Sequence, residues 1–335
     1  MSGRRVLRTL YVVVAAALAL SSGACGDDDD NAGGSGKKTA AGEKKTVTVN
    51  VSVLPITDLA AFHIGLDRGY FADEGLKVKP RPAAQGAVTV AAVQSGDAQF
   101  GWANTTSLII ARSRGLKLKL VTRGPRRGSR PSASGARILV KRDGPVKSLA
   151  DLKGKTVAVP LLRSIATLTT SRALERKGID ISSVKFVELP FPQAVPGLES
   201  GRVDAAFVAE PFATAGLRAG HRSISTPLVE TAPGYITAGF VASENYIAEN
   251  KDIVYRFARA VHRSFYYAAA HPRAVRDVLP TYTEIPTMVA QKIALPDFSA
   301  YTDTSTIGLT ADLAKKYGYI EKKPGISELL YRPGR

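Results

Sequence analysis

The segment Gln85–Val121, "QGAVTVAAVQSGDAQFGWANTTSLIIARSRGLKLKLV", sets two helical runs against two strand runs. Its opening, "GAVTVAAVQSG", spaces small and apolar residues as a helix does, which turns Val88, Ala91, Ala92 and Ser95 inward. "AQFGWA" is a short strand, "TTSLIIARSRG" a helix closed by Gly115, and "LKLKLVT" a second strand. Outward toward the N-terminus, "TVTVNVSVL" reads as a strand and "LKVKPRP" as another. Between them "DLAAFHIGLDRGYF" places Leu59, Phe62 and Leu66 on one helical stripe, with Asp58 as N-cap. The resulting βαβαβαβ order favours a parallel sheet flanked by helices.

Outward in the other direction, the alternation resumes with "ARILVKRD" and continues through "KTVAVP", "SIATLTTSRALERKG", "VKFVELP", "FPQAVPGLESG", "VDAAFVA" and "EPFATAGLRAG". "GYITAGFVAS" is a long strand leading out of this second unit. The remainder is helical, and "DIVYRFARAVHRSFYYAAA" puts Ile253, Val254, Phe257, Ala260, Val261, Phe265 and Ala268 on one face. That helix stops at His271–Pro272, because proline disfavours helical geometry in the residue before it. The expected architecture is α/β, with two lobes and a helical tail that returns to cover the first.

The chain of 335 residues has a formal charge of +17. Arg114–Lys155 holds thirteen Lys or Arg against two Asp, and its centre is the loop "RGPRRGSRPSASG" with Arg123, Arg126, Arg127 and Arg130. The loop reads chiefly as a solvated segment attracted to anionic lipid or wall polymer. A second reading has some of these arginines meet an anionic ligand, and a nucleic-acid partner is not expected without aromatic residues interleaved. At the N-terminus, Arg4, Arg5 and Arg8 precede "LYVVVAAALAL" and then small residues. That apolar run falls short of the roughly 20 residues a spanning helix needs, so residues 1–24 read as a signal peptide. "SGAC" resembles the lipobox of bacterial lipoproteins, although Ser22 stands where that motif usually has Leu. Cys25 is the only cysteine, so it serves no internal disulfide; lipid attachment is expected there, with an ordinary signal peptide as the alternative. Residues 25–45 lack large apolar side chains and read as a flexible tether.

Catalytic chemistry is hard to assemble. "GKT" at Gly154–Thr156 has Leu149 where a P-loop needs glycine, and a strand follows it. His63, His221, His262 and His271 show no metal-ligand spacing, and no nucleophile elbow is present. His63 beside Phe62 reads as a packed imidazole. No catalytic residue, metal ligand or cofactor is expected.

"LPITDLAAFHIGLDRGYFADEGLKVKP", "SGDAQFG", "SLADLKGKTVAVP", "LESGRVDAAFVAEPF" and the segment from "IPTMVAQKIALPDFS" to "TADLAKKYGYIEKKP" together resemble the substrate-binding lipoproteins of ABC importers. More narrowly they resemble the nitrate/sulfonate/taurine and pyrimidine-precursor branch. The resemblance runs from about Thr46 to Tyr331 and implies a periplasmic-binding type II fold. It further implies crossover strands at Ala136–Lys141 and Tyr235–Ala242, giving lobe one as 46–135 with 243–335 and lobe two as 136–242. A small-molecule ligand, an ABC permease with its ATPase and a membrane surface reached through the lipid are the implied partners of an exported monomer.

In such a fold, ligands bind beyond the carboxyl ends of parallel strands, where helix N-termini present free N–H groups. The corresponding turns offer Thr57, Asp58, Gln85, Trp102, Asn104 and Thr105 in lobe one. Lobe two offers Arg163, Ser164, Gln193 and Glu210. Trp102 suits stacking on a ligand ring or packing in the core; Glu210 suits accepting from ligand N–H groups or stabilising a helix start. Two carboxylates facing the cleft disfavour a compact anion, which favours a nitrogenous or aromatic ligand over a sulfonate unless Arg163 reverses the balance. A pyrimidine-precursor synthase of the same fold and a sensory lipoprotein are the alternatives of other classes.

Overall fold

The computed structural model describes residues 46–128, 130–299 and 303–332. The expected signal peptide 1–24, Cys25 and the tether 25–45 lie outside the described residues. The first sheet contains β1 (Val47–Val53), β2 (Leu76–Pro82), β3 (Phe100–Asn104) and β4 (Leu118–Arg123). The second contains β5 (Ala136–Val140), β6 (Thr156–Val159), β7 (Lys185–Glu188), β8 (Ala205–Ala209) and β9 (Arg222–Ser225). β10 (Ala238–Ser243) returns to the first sheet. The strand orders are β2-β1-β3-β10-β4 and β7-β6-β8-β5-β9.

β1 runs parallel to β2 and β3, and β6 runs parallel to β7 and β8, as helical crossovers require. β10 lies antiparallel between β3 and β4, and β5 antiparallel between β8 and β9. Both inserted strands adjoin the two places where the chain passes from one sheet to the other. β10 begins later than the run at Tyr235 suggests. The Tyr235 hydroxyl shares a hydrogen bond with Thr310 Oγ1 at 2.7 Å, and the Ile236 N–H donates to Thr306 Oγ1 at 3.1 Å, so these residues are held outside the strand. β9 was not anticipated: three of its four residues, "RSIS", are polar, and it sits at a sheet edge.

Helix α1 is Ala60–Asp67, α2 is Gly86–Ser95, and α3 is Thr105–Ser113. The expected inward face of α2 is not the observed one. Gly86, Thr89 and Val93 are buried, while Val88 is 53% exposed. The phase is fixed by its neighbours: Thr89 Oγ1 lies 3.1 Å from Ser52 Oγ on β1. A Cβ on Gly101 of β3 would fall 2.4 Å from Thr89 and 2.8 Å from Val93, so the bare backbone there lets the helix seat on these two residues. With alanines and valines on all sides, the α2 sequence offers little contrast between faces.

The remaining helices used below are α4 (Ile165–Arg176), α5 (Phe191–Glu199), α6 (Phe212–Arg218), α7 (Lys251–Ala270), α8 (Pro272–Tyr282) and α9 (Ser305–Lys316). α7 buries Val254, Phe257, Ala260, Val261, Phe265 and Ala268 against the first sheet's core, the face its periodicity assigns, with Ile253 at the margin. Phe257 stacks on Phe100 at 3.8 Å and meets Phe240 edge-on at 5.2 Å, a geometry that aligns ring edges with ring faces. α7 ends at Ala270, and Pro272 opens α8, where a missing N–H costs nothing.

Candidate ligand cleft between the two sheets

A cleft of about 670 Å³, open mouth included, lies where turns of both sheets converge. The first sheet supplies Leu54, Ile56 and Asp58 after β1, Gln85 after β2, and Trp102 and Asn104 at the end of β3. The second supplies Pro160, Leu161 and Ser164 after β6, Phe191 at the start of α5, and Phe207 and Ala209 of β8. Arg127 and Thr237 come from the two stretches that connect the sheets. This is the carboxyl-end position that parallel strands offer to ligands.

Five of the ten expected contacts line this cleft: Asp58, Gln85, Trp102, Asn104 and Ser164. Thr57, Thr105, Arg163, Gln193 and Glu210 do not, and each has a physical reason. Thr57 is fully buried, and its N–H donates to the Glu210 carbonyl at 3.1 Å. Thr105 Oγ1 donates to the carbonyls of Ile236 and Thr237, both at 3.3 Å. Gln193 is exposed on the first turn of α5. Glu210 accepts from Thr214 N and from Thr214 Oγ1, both at 2.9 Å, closing the first turn of α6. Burial pushes its pKa up, against the two Thr214 bonds. Arg163 has a left-handed backbone, φ 53°, and donates to the carbonyls of Gly318 at 3.0 Å and Tyr319 at 2.5 Å.

Asp58 is not a helix cap. Thr57–Leu59 form a 3-10 turn, Leu59 holds the N-cap position of α1, and no side chain caps it. Asp58 Oδ2 instead accepts from Arg127 Nη2 at 2.5 Å, with both side chains 4% exposed. Thr237 Oγ1 lies 3.3 Å from that Nη2 and 3.5 Å from Asp58 Oδ2. Arg127 therefore departs from the solvated-loop reading; it is one of the four arginines considered for an anionic ligand, and here its anionic partner is the Asp58 carboxylate. Gly135 makes room for the guanidinium: its φ is +67°, and an added Cβ would fall 2.2 Å from Arg127 Nη1. The expectation of two carboxylates facing the cleft is corrected too: only Asp58 does so, beside a guanidinium.

Trp102 combines its two readings. It lines the cleft, yet it is 1% exposed and packs edge-on against Phe240 at 5.0 Å. Several lining polar groups are already engaged. Asn104 Oδ1 accepts from Ser107 N, and its Nδ2 donates to Ser107 Oγ, each at 2.9 Å. Ser164 Oγ donates to the Leu161 carbonyl at 2.6 Å and accepts from Ala166 N at 3.2 Å, capping α4. Asp58 Oδ1 stands outside the Arg127 bond, the Gln85 side chain caps nothing, and Arg127 Nε, Arg127 Nη1 and Trp102 Nε1 have no hydrogen-bond partner. Among the described residues, no group of three or more His, Cys, Asp or Glu is placed to hold a metal ion. No helix among them is long and apolar enough to cross a membrane.

Two parallel-rich five-stranded sheets, each with one strand inserted antiparallel, and a cleft at their facing strand ends define a type II periplasmic-binding fold. This is the fold class expected from the sequence. The chain belongs to the NMT1/THI5-like family, whose model matches residues 56–275. The riboflavin-binding protein RibY of Chloroflexus aurantiacus is 26% identical over 234 residues, covering 69% of this chain and 65% of that relative. The chain thus matches just under two thirds of that relative's length. The taurine-binding periplasmic protein of Escherichia coli is 29% identical over 168 residues, 50% of each chain. The fold is also similar to the crystal structure of the periplasmic aliphatic sulphonate binding protein SsuA from Escherichia coli, with a TM-score of 0.68 at 19% identity, covering 86% of this chain and 93% of that one. The homologues are ABC periplasmic binding proteins of the nitrate/sulfonate/taurine type.

Proposed function

We propose that this chain is an exported solute-binding protein that traps a small organic ligand between two lobes and hands it to an ABC permease and its ATPase, without catalysis. The observation that carries the reading is the cleft itself, walled by turns of both sheets and reached from both connecting stretches. Lobe one is taken as 46–135 with 243–335 and lobe two as 136–242, joined near β5 and β10. The binding-protein relatives support the same role. Leu54, Ile56, Trp102, Phe191, Phe207 and Leu228 dominate the lining and favour a ligand with an apolar body. Asp58, Gln85, Trp102, Asn104 and Ser164, with Arg127 added, are the residues assigned to it. Residues 1–24 direct export, and a lipid on Cys25 with the tether 25–45 holds a monomeric body near its permease.

Small-angle scattering tests the trap, with riboflavin and taurine as probes because the relatives' names supply them. Ligand favours the closed arrangement in which both lobes touch it, so a bound probe should reduce or hold down the radius of gyration. A probe that binds with 1:1 stoichiometry and expands the particle would contradict the trap.

A further inference from the structure

Among the described residues, Asp58 and Arg127 are the only ionisable side chains in the cleft lining, and they face each other at 2.5 Å. We propose that this pair selects an uncharged ligand whose ring carries an amide or lactam edge, with Arg127 as a specificity-determining residue. The inference rests on the binding-protein reading above and sharpens its ligand class.

A buried ion pair presents almost no net charge to a ligand, but it still carries one strong acceptor and several strong donors. A compact anion must either take Arg127 away from Asp58 or lie beside the Asp58 carboxylate. Each arrangement leaves a buried charge without its partner, which is strongly unfavourable. An amide edge has no such conflict. Its N–H donates to Asp58 Oδ1, and its carbonyl accepts from an N–H group that no protein atom satisfies, Arg127 Nε or Trp102 Nε1. The Asn104 and Ser164 side chains are engaged in helix capping and compete little. The rest of the lining is largely aliphatic and aromatic, which suits the body of the ring.

Calorimetric titration with two probes separates the possibilities: lumichrome, an uncharged tricyclic imide, and ethanesulfonate, a compact anion. The parent protein should bind lumichrome and not ethanesulfonate over the same concentration range. Asp58→Asn should weaken lumichrome by about tenfold or more, a charged acceptor having been lost. The same variant should acquire ethanesulfonate binding, because Arg127 is no longer neutralised; a misfolded protein would show no such gain. Arg127→Met should weaken lumichrome without that gain. The inference is overturned if the parent prefers ethanesulfonate, if Asp58→Asn binds both probes as the parent does, or if native mass spectrometry finds a charged small molecule in the cleft. Each of those results leaves a binding protein standing. A parent that binds neither probe and retains no small molecule would instead defeat the binding-protein reading itself.

Discussion

Gly135→Ala should disrupt the ligand cleft from a position that does not line it. The residue has φ +67°, a conformation that costs a side chain about 1–2 kcal/mol. Its new Cβ would stand 2.2 Å from Arg127 Nη1 and 3.2 Å from Cζ, so the guanidinium must retreat. Retreat removes the 2.5 Å bond to Asp58 and the 3.3 Å contact with Thr237. A hydrogen bond to a charged group contributes about 1.5–3 kcal/mol, and an abandoned buried partner adds to the loss. The total is about 3–5 kcal/mol, a large share of the marginal stability of a folded domain. Urea denaturation followed by the emission of Trp102, the only tryptophan, measures it. In an Arg127→Ala background the clash is gone, and Gly135→Ala should cost only its backbone share of about 1–2 kcal/mol. Equal losses in the two backgrounds would refute the claim that Gly135 makes room for a buried guanidinium.

The other predictions concern pH, opening and anchoring. His63 stacks on Tyr282 at 3.8 Å, and burial lowers its pKa from 6.5 to about 4. A base with a depressed folded pKa leaves stability intact above pH 6.5 and loses it as pH falls from 6.5 to 4, by up to about 3 kcal/mol. His63→Phe keeps a stacked ring and removes the titration, so its melting advantage over the parent should widen as pH falls from about 7 to 4; parallel melting curves would count against this. Arg163 on the second-sheet side bonds the Gly318 and Tyr319 carbonyls, and Glu175 of α4 accepts from the Tyr317 hydroxyl at 3.0 Å and from Lys316. These contacts link α4 and the turn before it to the end of α9 and the residues just after it, and α9 packs on α3. Removing them with Arg163→Ala and Glu175→Ala together should favour opening by about 1 kcal/mol, the pairs being partly exposed, and enlarge the unliganded particle in scattering; an unchanged radius contradicts a role for these contacts in holding the cleft shut. Cys25→Ser should move the protein from the membrane fraction to the soluble one, and equal partition of variant and parent would exclude the lipid anchor.

The fold was legible because strong periodic signals sit on long elements. The α7 stripe from Val254 to Ala268 and the apolar strands around Phe100, Val157 and Phe207 each have one dominant face or bury both. Legibility failed where contrast was low or partners distant. Small residues all around α2 left its phase to Thr89, Val93 and the gap over Gly101. β9 carries only four residues, three of them polar, and the adjoining β5 edge rather than its own composition makes it a strand. Of the residues named from strand-to-helix turns, Asp58, Gln85, Trp102, Asn104 and Ser164 are the ones that line the cleft. Thr57, Thr105, Gln193 and Glu210 lie outside the lining for separate reasons: Glu210 bonds its own turn at Thr214, Thr105 bonds the distant carbonyls of Ile236 and Thr237, Thr57 is buried and Gln193 faces solvent. Arg127 could not be singled out from the other loop arginines. A Gly/Pro/Ser-rich basic loop looks solvated, and only the contact with Asp58, 69 residues away in sequence, draws one of its arginines inside.

The central claim is that the cleft holds a small molecule and releases it unchanged. Native mass spectrometry of the full-length protein, before and after incubation with a small-molecule extract of the cells that produce it, tests this most directly. The account predicts one adduct per chain, lost from Asp58→Asn or weakened there, with the same molecule recovered intact after denaturation. A chain that takes up nothing from the extract, or that returns a chemically altered molecule, would contradict it.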